Sequence, residues 1–148
     1  MPDMLAALRQ SPLLRGFTDD GVRIIQAATT GRQLPAGAPI FVEQMHGESC
    51  FIIGDGQVSL YTTRGGAERE LAVVGAPDSL GELSLLSPGP RRISARARTP
   101  LYLLEIPRRD FLNLQKQRPQ ACLKLMINIV EDFGARAGYT APVLERLL

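Results

Sequence analysis

Residues 32–106 cannot sustain a long helix. Glycine or proline interrupts them every few positions, among them Pro35, Gly37, Gly47, Gly54, Gly56, Gly65, Gly66, Pro77, Gly81, Pro88 and Pro90. The pieces between are short and apolar. Leu34-Pro35-Ala36-Gly37 reads as a turn before Ile40-Phe41-Val42, and Gln44-Met45-His46-Gly47 as the next loop. Residues 49–53 read as a strand, and Gly54-Asp55-Gly56 as a tight hairpin before Val58, Leu60 and Tyr61. Arg64-Gly65-Gly66 reads as another hairpin, followed by a strand over 70–74. Further strands are expected through Ile93, Ala95 and Ala97 and over 101–106. The alternation Val58, Leu60 and Ile93, Ala95, Ala97 has the period of a half-buried sheet. Many short strands at this spacing predict a mainly β unit, closed or double-sheeted.

The flanks return to a helical period. In residues 3–31, Leu5, Leu8 and Leu13 precede a break at Gly16-Phe17. Thr18 then caps a helix carrying Val22, Ile24, Ile25 and Ala28, and Gly31 is expected to end it. Pro107 opens a helix with Phe111, Leu112 and Leu114, and Pro119 opens a longer one. On the longer helix Leu123, Met126, Ile127, Val130, Phe133 and Ala137 recur at spacings of three and four. Two readings of this stripe stay open: a face packed on the β unit, or a seam between two copies. Gly134 and Gly138 weaken the end of the helix, and Pro142 breaks it. Val143, Leu144, Leu147 and Leu148 are then expected to form a short turn that folds back.

The chemistry concentrates in Gly81-Glu82-Leu83-Ser84-Leu85-Leu86-Ser87-Pro88-Gly89-Pro90-Arg91-Arg92-Ile93-Ser94. One helical turn over 83–86 points backbone N–H groups at a common spot and attracts anions. Gly81 lets a ligand approach the backbone. Glu82 offers acceptors suited to a sugar hydroxyl. Arg91 or Arg92 offers a planar fork of donors suited to a phosphate.

This run resembles the phosphate-binding cassette of cyclic nucleotide-binding domains. The family pattern is Gly-Glu-Leu-small-Leu-hydrophobic, a four-residue loop, Arg and then a strand. Gly81, Glu82, Leu83, Ser84, Leu85, Leu86 and Arg91 fall into that order. Pro35-Ala36-Gly37, Gly47, Gly56 and Leu104-Glu105-Ile106-Pro107 before Phe111 sit where the family keeps similar signals. The resemblance covers nearly the whole chain. It implies an eight-stranded double-sheet jelly roll with N-terminal helices and two C-terminal helices. The chain is then a single domain over 1–148, with helices in 3–31, a β-roll in 32–106 and C-terminal helices in 107–148.

Site roles follow from the same resemblance. Glu82, with the Gly81 backbone, is expected on the ribose 2′-hydroxyl and Arg91 on the cyclic phosphate, helped by the N–H groups of Leu83 and Ser84 and with Ser94 nearby. Leu71 and Val73 are expected to line the base, with Arg136 a further candidate there. The implied ligand is a cyclic nucleotide, with cAMP favoured over cGMP. Three departures from the pattern stand out: Pro77 before Asp78, Leu80 for the usual phenylalanine, and Arg92 where many members carry a small or hydroxyl residue. Some members place the phosphate arginine one position later, which leaves Arg92 as the alternative to Arg91.

The remaining features bound the function. Net charge is +2, so no strongly basic nucleic-acid surface is implied. No helix-turn-helix pattern follows the long helix, and direct DNA binding is not expected. No apolar run spans a membrane, and Met1-Pro2-Asp3-Met4 lacks the start of a signal peptide. Cys50 and Cys122 are isolated in apolar contexts and read as buried thiols of a cytoplasmic protein. His46 is the single histidine, and no nucleophile has a base beside it, so an enzyme is not expected. Two functions remain. One is a stand-alone cyclic nucleotide sensor that signals to an unidentified downstream protein by rearranging its C-terminal helices. The other is the same fold with a degenerate pocket, acting as an interaction or homodimerisation module through residues 119–138.

Overall fold

The computed structural model describes residues 2–138, with side chains through residue 135. Local capping sets the N-terminal helices. The Asp3 carboxylate accepts the Ala6 N–H at 3.3 Å and starts α1 (Met4–Gln10). Ser11 ends α1, and its Oγ accepts the Leu13 N–H to start a 3-10 turn over Pro12–Leu14. Thr18 Oγ1 accepts the Gly21 N–H at 3.1 Å and caps α2 (Asp19–Ala27), as the sequence predicts. Asp19 and Asp20 in its first turn suit the positive end of the helix dipole.

Ten strands follow: β1 (Thr30–Leu34), β2 (Pro39–Phe41), β3 (His46–Gly47), β4 (Ser49–Asp55), β5 (Gln57–Thr62), β6 (Arg69–Gly75), β7 (Ser79–Leu80), β8 (Gly89–Pro90), β9 (Ser94–Ala97) and β10 (Leu101–Pro107). Eight of them make two four-stranded antiparallel sheets, in the orders β1-β10-β4-β7 and β2-β9-β5-β6. These are the two sheets of the expected jelly roll. β3 and β8 add a two-stranded ribbon at the mouth of the cassette. α3 (Leu83–Leu86) lies between β7 and β8, and α4 (Arg108–Gln117) and α5 (Pro119–Gly138) close the described chain.

Two local expectations are corrected. Gly31 does not end a helix: α2 stops at Ala28, and Gly31 sits inside β1 opposite Leu104. A Cβ there would stand 2.9 Å from the Tyr102 hydroxyl, so a larger residue would have to displace that ring. Gly54-Asp55-Gly56 is not a hairpin either. β4 pairs with β10 and β7, whereas β5 pairs with β6 and β9, so this turn carries the chain from one sheet to the other. Gly56 makes the corner at φ +94, against the Pro100 carbonyl. Arg64–Gly66, by contrast, is a 3-10 turn joining the paired strands β5 and β6.

Alternation in β4 and β10 divides the core in two. Phe51, Ile53, Leu101 and Leu103 face the inside of the roll with Phe41, Val58, Leu80, Ala95 and Ala97. Cys50, Ile52, Leu104 and Ile106 face the helices, against Leu8, Leu13, Ile25, Phe111, Leu125 and Ile129. One sheet is therefore covered on both faces, and each fully buried Leu or Ile contributes about 1.5–3 kcal/mol. Cys50 and Cys122 are both buried, as the sequence suggests.

Of the apolar stripe of α5, Met126 is half-buried against the helical core, and the rest of the described stripe is not the packed face. α5 buries Cys122, Leu125, Asn128 and Ile129, while Leu123, Ile127, Val130 and Phe133 are 57%, 48%, 60% and 53% exposed. Asn128 explains the choice of face. Its Nδ2 donates to the carbonyls of Leu13 at 2.8 Å and Arg15 at 3.0 Å, and Lys124 Nζ donates to the Gly16 carbonyl. A buried amide needs such partners, and this rotation of the helix supplies them. The side chains of Arg136 and Ala137, and Pro142, Val143, Leu144, Leu147 and Leu148, lie outside the described residues.

Candidate functional site

β7 delivers the chain to Gly81, which turns it at φ +68. α3 follows as a single turn, and its buried Leu85 anchors it on the helical core. Glu82 stands just before α3 and accepts a hydrogen bond from Ser79 Oγ. The Ser84 N–H, expected to be open to a phosphate, instead donates to the Gly81 carbonyl at 3.0 Å. That bond closes the turn, so what Ser84 presents is its hydroxyl.

Arg91 is held from both sides. Its N–H donates to the Met45 carbonyl at 2.7 Å, and its carbonyl accepts the Gln44 N–H at 2.8 Å. The side chain runs inward and is 9% exposed. Nη1 donates to Ser84 Oγ and Nη2 to the Ser49 carbonyl, both at 2.9 Å. The guanidinium lies 4.4 Å from the Phe41 ring centroid and 5.8 Å from that of Phe51. Gly47 and Gly81 flank it, and a side chain at either would collide with it.

Burial lowers the Arg91 pKa below its ordinary value, with Cys50 and Glu105 opposing that shift. An arginine nonetheless stays charged in a protein. Among the described residues no carboxylate pairs with it. Glu105 acts one step removed, by accepting from Ser49 Oγ at 2.6 Å. A buried cation bonded only to neutral oxygens favours an anion that can reach it. Arg92, the alternative, is exposed.

The other predicted residues are placed as follows. Ser94 is fully buried, and its Oγ accepts the Glu43 N–H at 2.9 Å. The Thr63 N–H donates to the Glu43 carboxylate at 2.7 Å and holds its pKa below the usual range. Leu71 and Val73 project from β6 as exposed apolar side chains. Glu82 and Leu83 share a small crevice with Ile129, Asp132 and Phe133, which brings the cassette against α5. His46 lies 3.2 Å from Glu48, with no serine in the pair. Among the described residues no cluster of His, Cys, Asp and Glu could hold a metal, and no helix is long and apolar enough to cross a membrane.

Sequence reasoning missed the roles of Phe41, Phe51, Ser49 and Ser79 beside the cassette, and singled out Gly47 without its contact to Arg91. Gly47 gave the one available signal, a glycine in the ribbon that faces the cassette. The cassette carries a guanidinium and a carboxylate, Arg91 and Glu82, and β6 carries the exposed apolar pair Leu71 and Val73. In chemical type these suit a phosphate, a sugar hydroxyl and a base.

Comparison with known proteins agrees with this chemistry. Residues 31–118, which cover β2 to β10 together with α3 and α4, match the model of the cyclic nucleotide-binding domain. The chain is 35% identical over 113 residues to the cyclic AMP receptor protein of Thermus thermophilus, covering 76% of this chain and 52% of that protein. It thus spans about half the length of the curated regulators it matches. The crystal structure of the Thermus thermophilus catabolite activator protein superposes with a TM-score of 0.79 at 32% identity, over 93% of this chain and 63% of that one. The regulatory domain of Toxoplasma gondii PKA, solved with cAMP, superposes with a TM-score of 0.66 at 27% identity, over 74% of this chain and 42% of that one. On a family match through the β-roll and 35% identity over three-quarters of its length, this chain belongs to the cyclic nucleotide-binding domain family.

Proposed function

We propose that the chain binds cAMP and passes the bound state to its C-terminal helices. The observation that carries this is Arg91, a buried guanidinium with no carboxylate partner among the described residues, facing Ser84 of the cassette. The phosphate meets Arg91 and the Leu83 N–H, the ribose hydroxyl meets Glu82, and the base covers Leu71 and Val73. The named ligand of the Toxoplasma gondii structure supports cAMP as the first nucleotide to test. The crevice between Glu82 and Asp132 supplies the route to α5. A ligand shifts α5 only as far as its contacts differ between two arrangements of that helix.

Calorimetric titration is expected to give saturable heat with cAMP at micromolar or tighter affinity, and weaker binding of cGMP. No heat with either nucleotide at millimolar concentration would overturn the proposal.

The exposed face of α5 supports a second reading, self-association through residues 119–138. Leu123, Ile127 and Val130 follow the four-then-three spacing of a helical seam, and Phe133 continues the apolar face. Such a contiguous apolar face is uncommon on a monomer. Sedimentation is expected to show a dimer that Ile127→Glu converts to monomer with its thermal unfolding unchanged, because Ile127 is outside the core. A strict monomer with and without nucleotide would remove this reading.

A further inference from the structure

A second charged site lies on the far side of the cassette loop. A cleft of about 400 Å³ is lined by Arg108, Arg109, Leu112, Asn113 and Lys116 of α4, with Pro88 and Glu48 on its rim. Arg109, Leu112, Asn113 and Lys116 follow the i, i+3, i+4, i+7 pattern and therefore form one face of the helix. The opposite face carries the buried Phe111 and Leu114. None of the three cations has an ion-pair partner among the described residues. Arg108 Nε is buried with no hydrogen-bond partner, although the Arg108 backbone N–H donates to the Glu48 carbonyl at 2.7 Å. The one acid of the cleft, Glu48, is already engaged by His46. Asp110, the acid of the first turn of α4, is not part of the lining.

We infer that this cleft docks an acidic segment of a partner protein, with one apolar side chain seated on Leu112 and Pro88. Charge complementarity selects an acidic occupant: three unpaired cations against one engaged carboxylate. The dimensions select a peptide over a nucleic acid. Arg109 and Lys116 are about 10 Å apart along the helix axis. That spacing suits carboxylates about two helical turns apart. An exposed leucine between the cations suits an apolar anchor, and Glu48 at the rim opposes an extended phosphate backbone. Pro88 belongs to the loop between α3 and Arg91, so an occupant here touches the cassette without entering the nucleotide site. The inference does not depend on the nucleotide reading.

Fluorescence anisotropy tests it, using a labelled peptide of Glu and Asp residues around a central Leu-Phe pair. The control is the same peptide with Gln and Asn in their place. The acidic peptide is expected to bind saturably and at least tenfold more tightly than the control. Arg109→Glu and Lys116→Glu should each weaken it at least tenfold while leaving thermal unfolding and the heat of cAMP titration unchanged. Raising salt should weaken it further, as expected for exposed cations. Equal binding of the two peptides, no binding, or charge reversals without effect would each overturn the inference. So would tighter binding of a short DNA duplex than of the acidic peptide.

Discussion

Arg91→Ala is expected to weaken cAMP binding by about 2–4 kcal/mol, roughly 30- to 700-fold in the dissociation constant, the range for truncating one partner of a buried charge pair. Arg91 is desolvated before any ligand arrives. Its stacking on Phe41 and its bonds to Ser84 and Ser49 already fix its geometry. The ligand therefore gains a pre-oriented cation. Arg92→Ala serves as the control and is expected to change affinity less than threefold, because an exposed arginine pays little on being paired. Calorimetry on both variants decides, with thermal unfolding measured alongside because Arg91→Ala also leaves a void beside Phe41. A larger loss in Arg92→Ala than in Arg91→Ala would reverse the assignment of the phosphate arginine.

Gly56→Ala is expected to cost about 2–5 kcal/mol of stability. Two terms add. A side chain in the left-handed region costs about 1–2 kcal/mol. Forcing a methyl into filled space costs about 1–3 kcal/mol more. At Gly56 the obstruction is the Pro100 carbonyl oxygen, a backbone atom that cannot rotate away. Gly66→Ala separates the terms: φ is +78 there, but nothing lies within 4 Å of the added carbon. It should lose only the first. Urea unfolding of both variants measures the difference, and equal losses would show that the corner at Gly56 can relax.

Legibility in the sequence followed the range of the physics involved. The strands through Val58 and Leu60 and through Ala95 and Ala97 were readable because alternation is a local response to one buried face. The cassette was readable because Gly81, Glu82, Ser84 and Arg91 lie within eleven residues in family order. β1 was placed before Pro35-Ala36-Gly37 only by the family resemblance, because Thr-Gly-Arg-Gln-Leu has no apolar alternation and owes its form to backbone pairing with β10. Gly54-Asp55-Gly56 carries the signal of a sharp turn, and that signal is the same whether the strands pair or part into separate sheets. On α5 the helical period was plain, but two faces are apolar, and the choice fell to Asn128 and carbonyls more than a hundred residues away. Phe41 and Phe51 approach Arg91 only through the fold.

That same Asn128 has a consequence for synthesis. Its partners, Leu13 and Arg15, precede it by 115 and 113 residues. Leu8, Leu13 and Ile25 can pack on β4 and β10 first, but the side of that layer covered by Leu125 and Ile129 stays open until α5 is made. At about 5–20 residues per second, the wait lasts on the order of 6–23 s. During those seconds the β-roll can assemble, but the helical layer cannot close. Until then the turn at Leu13 and Arg15 and the layer beside it are the part of this domain most open to chaperones and proteases.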